Sequence, residues 1–377
     1  MNPSTFPLLK LPLLALTNVI QSMRTGLRLR LALTSKRMER CIRMSQLRIN
    51  SPCVSFKDAA SLIYIYKRRK FRIGCDTLNL ERTGMVKWAP HECIYRNMEA
   101  MCAKLRDLFI FDTFDVDMRF PEMEGVSRSD NNEFLLSLLK SCFFLVIHGE
   151  VNGEDLKYLL DNTPSTAMLG LQNVEMTEDY LPIEAFRFQS FSCNASDWVR
   201  LEHLYTVRDM TTARLENSSL TDKDVNTFIK YWVDFDEDMF NKLSIETCVD
   251  LEVEMGVEED VGVLDGVVAL SAQSNYFVPS AAGTNKTRPF LVVDVDKTPG
   301  TVLLWAVSEA SYRCDCCQLS MEKEAKILEV LNQKRELEKT LETDGLENRE
   351  TIGKLWEVER DLREMGVKMV DGIAEME

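Results

Sequence analysis

The chain has 377 residues, 45% of them apolar and 8% aromatic, with a formal net charge of −15 at pH 7. That length holds two or three domains with a sizeable core, and that apolar content excludes a disordered or low-complexity chain. No run of about 18 apolar residues exists to span a membrane. The eleven cysteines, an odd number at irregular spacing, argue for a reducing compartment rather than a disulfide framework.

Charge is unevenly distributed. Residues 1–73 hold fifteen Lys/Arg against two Asp/Glu, a net of +13, and the remaining residues hold thirty against fifty-eight, a net of −28. A basic N-terminal module on an acidic body is a pattern met in nucleic-acid binders, and equally in a basic hook that docks on an acidic partner.

Residues 6–42 begin with Phe6-Pro7-Leu8-Leu9-Lys10-Leu11-Pro12. Pro12 starts a helix, where its missing N–H costs nothing, and Leu13, Leu16, Val19, Ile20 and Met23 then recur every third or fourth position. A second apolar stretch carries Leu27, Leu29, Leu31 and Leu33 into Thr34-Ser35-Lys36-Arg37. Two short apolar helices in roughly 35 residues cannot close a core of their own, so a partner surface is expected. Lys10 and Thr17-Asn18 interrupt the apolar run and no small-residue cleavage site follows, which argues against a signal peptide.

This segment resembles an F-box of the nematode type, on Phe6, Pro7, Leu8, Leu11, Pro12, Leu16, Ile20, Leu31, Leu33, Thr34, Ser35, Lys36 and Arg37. It departs from that family at Arg24-Thr25-Gly26-Leu27, where an acidic-proline turn is usual. The resemblance implies binding to the Skp-type adaptor of a cullin-containing SCF ubiquitin ligase. Adaptor-binding residues would be Phe6, Pro7, Leu8, Leu11, Pro12, Leu16, Ile20, Leu31 and Ser35.

Residues 51–100 read as a linker and the start of the body. Their sharpest feature, Lys67-Arg68-Arg69-Lys70, is a solvated face first and a nuclear-localisation or nucleic-acid patch second. From about residue 101 to 250, short apolar strands precede short amphipathic helices. Strands are expected at 108–111, 143–147, 168–171, 186–191, 212–215 and 242–245. Helices are expected at 154–160, at 197–205 with Ser196 as N-cap, and at 222–232 with Thr221 as N-cap and Asp224 nearly completing a capping box. Strands separated by helices pair in parallel through crossovers. Repeats of roughly 18 to 35 residues suggest a leucine-rich-repeat-like arc, with a single compact α/β domain as the other possibility.

Within this region Trp198, Val199, Leu201, Leu204, Leu215, Leu220, Thr221, Asp224, Asn226, Phe228, Ile229 and Trp232 resemble the nematode F-box-associated domain of the second type. Arg208-Asp209 depart from it, since the family is apolar or cysteine there. Trp198 and Trp232 sit in apolar helical patterns and are expected in the core, with target contact made by loops 234–238 and 120–132.

Residues 251–318 read as a β-rich extension. Strands are expected at 261–270, 289–295 and 301–307, with turns at Asp265-Gly266 and Pro299-Gly300 and a loop over 275–288. Residues 319–377 read as helical throughout, broken at Asp344-Gly345 into a helical hairpin or short coiled coil whose second arm places Ile352, Leu355, Leu362 and Met369 at heptad-like spacing.

No phosphate-binding loop, nucleophile elbow or metal-spaced histidine pair is present. The three histidines lie far from the Cys314, Cys316 and Cys317 cluster, so neither metal nor cofactor is expected, and no catalytic residue. Asp294 and Asp296 read as surface carboxylates. The fold class is thus α/β: a helical F-box, an irregular strand–helix domain and a C-terminal helical hairpin. The function that follows is a substrate-recognition subunit of an SCF-type ligase, cytoplasmic or nuclear, with an unknown protein substrate and neither nucleic-acid nor membrane partners. The competing reading is a binding module or scaffold without a ligase role.

Overall fold

The computed structural model describes residues 8–56, 62–67, 69–75, 86–88, 90–120, 132–175, 181–247, 270–272, 275–281, 284–296, 300–308, 322–344, 349–370 and 373–376. Phe6, Pro7, Arg68, residues 121–131, 251–269 and the Cys314–Cys317 cluster lie outside them. The chain is mixed α/β and divides into two compact units, Met1–Pro182 and Ile183–Glu377.

The first unit opens with three helices, α1 (Leu13–Ser22), α2 (Thr25–Thr34) and α3 (Lys36–Met44), where two were expected. Ser35, in extended backbone at φ −152°, ends α2 and caps α3 by accepting from the Met38 N–H. The Arg24–Leu27 stretch makes a tight passage from α1 to α2. Arg28, buried, sends Nε to the Ile20 carbonyl at 2.8 Å and a terminal nitrogen to the Gln21 carbonyl at 2.6 Å. A cation on the carbonyls of a helix's last turn adds to their hydrogen bonding and complements the negative end of the dipole. Ile20 is 0% and Leu16 4% exposed. The expectation that this apolar face waits for a partner is therefore corrected, because much of it is buried inside the chain.

A sheet follows, with strand order β7-β6-β5-β1-β2-β3-β4. Its strands are β1 (Cys53–Phe56), β2 (Leu62–Lys67), β3 (Arg69–Gly74), β4 (Val86–Lys87), β5 (Phe114–Arg119), β6 (Cys142–His148) and β7 (Met168–Gln172). Strands β1, β5, β6 and β7 are parallel neighbours, while β1–β2–β3 is an antiparallel meander. Helices α5 (Asn132–Lys140) and α6 (Gly153–Asn162) make the crossovers, and Asn152 caps α6 by accepting from the Asp155 N–H at 2.9 Å. The strand expected at 108–111 is instead the end of α4 (Ile94–Leu108), a bend and a single parallel β-bridge from Ile110 to Arg48. Met98, Met101, Cys102, Leu105 and Leu108 recur at helical spacing and are all buried. Gly149 ends β6 at φ +84°, where a Cβ would meet the Phe120 carbonyl oxygen at 2.2 Å.

The second unit carries a sheet of order β15-β16-β11-β12-β13-β14-β10-β9-β8. Strands β8 (Ser190–Cys193), β9 (Met210–Ser218) and β10 (Phe240–Thr247) are parallel and in chain order. Strands β11 (Leu270–Ala272), β12 (Asn275–Pro279), β13 (Phe290–Asp296) and β14 (Thr301–Val307) add an antiparallel meander onto β10. Strands β15 (Val367–Val370) and β16 (Ile373–Met376) pair antiparallel with each other, and β16 joins β11 in parallel.

Several expectations shift here. The segment 186–191 divides between a 3-10 helix at Ile183–Arg187 and β8. The helix at 197–205 shrinks to α7 (Leu201–Leu204). Its cap is at Arg200, whose N–H donates to His203 Nδ1 at 3.0 Å, whereas the buried Ser196 hydroxyl donates to the Glu216 carbonyl at 2.8 Å. The loop expected at 275–288 begins as β12. Met369 belongs to β15, not to a helix, because Gly366 at φ +78° ends the helical run.

Helix α8 (Asp222–Asp234) is capped as expected by Thr221 and Asp224 in a capping box. It buries Val225, Phe228, Ile229 and Trp232, the last only 1% exposed. The C-terminal helices α9 (Glu322–Asp344) and α10 (Arg349–Glu364) pack on each other. Their Ile327, Leu328, Leu331, Val358 and Leu362 form one cluster with Phe277, Phe290 and Val292 of the sheet.

The C-terminus of α8 is closed by the segment between β12 and β13. Lys286, buried, donates to the Trp232 carbonyl and lies 3.7 Å from the centroid of its indole. Burial lowers the Lys286 amine to about 8, so it remains a cation at neutral pH, as both contacts require. We expect Trp232→Ala to destabilise the second unit by roughly 3 to 5 kcal/mol, because it removes both a core side chain and the seat of this amine. Thermal denaturation of the full chain checks it, and a Tm unchanged from the parent would show that the indole is not a core element.

Candidate functional site

The residues to which the sequence assigns a role lie at the N-terminus and in the loop after α8; two sheet faces, one in each unit, carry polar residues to which it assigned none. At the N-terminus, Leu16 and Ile20 are core, Leu8, Leu11, Leu31 and Ser35 are half-buried, and Pro12 is exposed. The exposed leucines are instead Leu13, Leu14 and Leu27, at 58%, 75% and 49%. Salt bridges brace this module from behind: Glu39 accepts from Lys104 of α4 at 2.7 Å and from Arg43 at 3.1 Å, and Arg43 also meets Asp107.

In the first unit, β5 alternates strictly. Phe114, Val116 and Met118 are fully buried on one face, and Asp115, Asp117 and Arg119 turn to the other. The Ser55 hydroxyl donates to Asp117 Oδ2 at 2.9 Å, and His148 Nε2 lies 3.2 Å from Asp117 Oδ1. Serine and histidine both address the carboxylate and not each other, so this is no nucleophile relay. Asp115 Oδ1 is buried without a hydrogen-bond partner among the described residues, and burial lifts its carboxyl to about 6.

In the second unit the alternation continues. Ala213, Leu215, Leu243 and Ile245 are almost fully buried, while Thr212, Arg214, Glu216, Lys242 and Ser244 face the other way. Helix α8 joins the parallel strands β9 and β10 and must lie on one face; the buried row identifies which. Register makes the opposite face a lattice. Ser190, Thr212, Lys242 and Trp305 form one row across β8, β9, β10 and β14, and Ser192, Arg214, Ser244 and Leu303 the next. Trp305, with Val292 and Phe290 on the same face, packs at the margin of the α9–α10 cluster. These helices therefore bound the open polar face along one side. Lys242 Nζ lies 5.5 Å from the Trp305 ring, and Arg214 Nε 2.7 Å from Glu216 Oε1.

Loop 234–238, expected to contact a target, is occupied. Asp236 accepts from Asn285 N and Nδ2, both at 3.0 Å, and Asp238 accepts from Thr287 and Arg288. These bonds and the Arg288 charge hold Asp238 below the usual carboxylate range despite its burial. The departure at Arg208-Asp209 is explained in the same corner: Arg208 stacks 4.1 Å from the Phe235 ring, and Asp209, at φ +45°, pairs with Arg288 at 3.2 Å. His203 stacks on Phe186 and lies tilted against Trp198, and burial lowers its pKa, so it is a neutral core residue. Burial pushes the Cys102 and Cys142 thiols up to about 12, which leaves them inert. Among the described residues no three of His, Cys, Asp and Glu converge as a metal site, and no helix is long and apolar enough to cross a membrane.

Residues 182–245 match the family described as F-box associated. This stretch runs from the 3-10 helix through β8, α7, β9 and α8 into β10, and carries an F-box-associated domain. No curated protein and no solved structure matches the chain. The residues that carry the resemblance in sequence fall into core and caps: Val199, Leu204, Leu215, Phe228, Ile229 and Trp232 are all buried, and Thr221 and Asp224 cap α8. They specify the scaffold. Arg214, Lys242 and Trp305, which do face solvent or its margin, escaped the sequence reading, although the alternation of Thr212, Arg214 and Glu216 with Ala213 and Leu215 would have marked the first of them on β9.

Asp115 gives a pH test of the first unit. Its folded-state pKa lies above that of an exposed aspartate, so folding favours the protonated form, and the associated stability is lost as pH rises through about 6. Asp115→Asn should raise Tm by about 2 °C at about pH 7.5, a gain that shrinks below about pH 6 and vanishes near pH 4. Melting curves of parent and variant across that range check it; a gain independent of pH would refute the assignment.

Proposed function

We propose that this protein is the substrate-recognition subunit of an SCF-type ubiquitin ligase. The observation that carries this reading is the F-box-associated match at residues 182–245, downstream of an N-terminal helical module whose residues resemble a nematode-type F-box. The N-terminal helices bind a Skp-type adaptor, and through it a cullin. The F-box-associated domain, with its parallel strands in chain order as in a leucine-rich-repeat-like arc, holds a target protein. The subunit has no chemistry of its own and needs no metal or cofactor. It works by raising the effective concentration of target lysines around a ubiquitin-charged partner, in the cytoplasm or nucleus.

Burial refines the adaptor contact. Leu13, Leu14 and Leu27 supply apolar area to a partner, with Leu8, Leu11, Pro12 and Leu31 of the same module, and the contact includes Phe6 and Pro7. Leu16 and Ile20 hold the helices in place from inside, and Ser35 sets the α2–α3 junction. A module without a ligase role is favoured by one feature, the replacement of the acidic-proline turn by Arg24–Leu27 and the buried Arg28 cap.

Affinity capture with a purified Skp-type adaptor separates the two. Replacing Leu13 and Leu14 together by alanine should weaken capture by roughly 2 kcal/mol, about thirtyfold, at unchanged Tm. Leu16→Ala should instead lower Tm by creating a cavity. Because apolar burial is not screened by salt, parent binding should persist at about 200 mM salt. Equal capture by the double variant would remove Leu13 and Leu14 from the contact, and no capture by the parent would favour the module without a ligase role.

A further inference from the structure

The open face of β8–β10 has a chemistry that stands out against the chain around it. This inference rests on the proposed role of the F-box-associated domain in holding a target. In two adjacent rows, every side chain from β8, β9 and β10 can donate a hydrogen bond: Ser190, Thr212 and Lys242 in one, Ser192, Arg214 and Ser244 in the next. Two cations on neighbouring strands lie diagonal to each other within these rows, in a protein of net charge −15. Beyond these rows, where the β9–β10 register shifts, β9 continues into Glu216 and β10 into Glu246, and the donor field ends. Trp305 and the α9–α10 pair bound it laterally. A row across four strands spans about 14 Å, the reach of four or five residues of extended peptide.

We infer that this face is the docking surface for an acidic segment of the target protein, whose Asp and Glu side chains are read by Arg214 and Lys242 with the hydroxyls of Ser190, Ser192, Thr212 and Ser244 around them. Charge complementarity selects the occupant. Arg214 and Lys242 disfavour a basic segment, the polar rows leave a purely apolar one little to bury against, and the body's excess of carboxylates opposes a polyanion as extended as a nucleic acid. Glu216 holds Arg214 through Nε, and the two terminal nitrogens are the ones that would meet a ligand carboxylate. The same carboxylate also competes with that ligand for the guanidinium.

A phage-displayed random-peptide library panned on the full chain tests this. Selected peptides should be enriched in Asp and Glu. The most enriched peptide, titrated by fluorescence anisotropy, should bind the Arg214→Ala, Lys242→Ala double variant about tenfold more weakly, with Tm unchanged. Its affinity for the parent should fall between about 50 and 200 mM salt. Glu216→Gln, which removes the competing carboxylate while leaving the guanidinium in place, should bind as tightly as the parent or more tightly. Absence of acidic enrichment, equal binding by the double variant, weaker binding by Glu216→Gln, or full displacement of the peptide by single-stranded DNA at physiological salt would each overturn the inference. Adaptor capture on the same preparations is read separately. Adaptor binding without acidic preference sinks this inference alone, and acidic preference without adaptor binding sinks the ligase reading alone.

Discussion

Two parallel strands adjacent in sequence can be joined only by a chain that crosses over one face of the sheet, and that constraint organises the F-box-associated domain. Once α8 crosses from β9 to β10, its Phe228, Ile229 and Trp232 claim one face, and the alternation of every strand residue is decided. Ala213, Leu215, Leu243 and Ile245 go under the helix, and Thr212, Arg214, Lys242 and Ser244 go to the other side. A sheet covered on both faces would have near-continuous apolar strands; these alternate. The open polar face is thus the geometric remainder of the packing that stabilises the domain, and the proposed recognition surface costs the core nothing.

The second unit resolves its remaining apolar surface by changing sides. Over β12 and β13 the helices α9 and α10 cover the face that is left open on β8–β10, so Trp305 stands where covered and uncovered areas meet. An indole suits that margin, having a broad apolar body and one polar edge. In the first unit, Arg28 plays the corresponding role at the N-terminus. By fastening α2 to the last carbonyls of α1, it lets Leu16 and Ile20 be buried in a module too short to hold them unaided.

What was legible in the sequence follows from the range of the forces involved. Strands β6, β7, β9 and β10, the capped helices α6 and α8 and the core role of Trp232 all rest on local signals: a two- or 3.6-residue period, or a side chain reaching three residues along. Errors arose where tertiary context decided. Ser196 looks like a cap but spends its hydroxyl on Glu216, twenty residues away. Met369 continues a helical spacing past a glycine that turns it into a strand. The leucines assigned to a partner included Leu16 and Ile20, because period alone tells which residues share a face and not what covers it. The cations of the open face were missed for a related reason: Arg214 and Lys242 become neighbours only through strand register.

The Lys286 clasp has a consequence for where this domain ends. The family match stops at residue 245, yet in the last turn of α8 the Trp232 carbonyl is met by the Lys286 amine and the Val233 carbonyl by the Ala281 N–H, about forty residues further on, and β10 has β14 as its outer neighbour. A fragment cut at the end of the match would present β10 as a bare edge strand carrying unsatisfied amides and carbonyls beside a frayed helix, the condition that drives edge-to-edge aggregation. The homologous segment and the cooperatively folding segment are therefore different objects in this chain. The C-terminal extension behaves as an integral flank of the domain, whatever its own evolutionary origin.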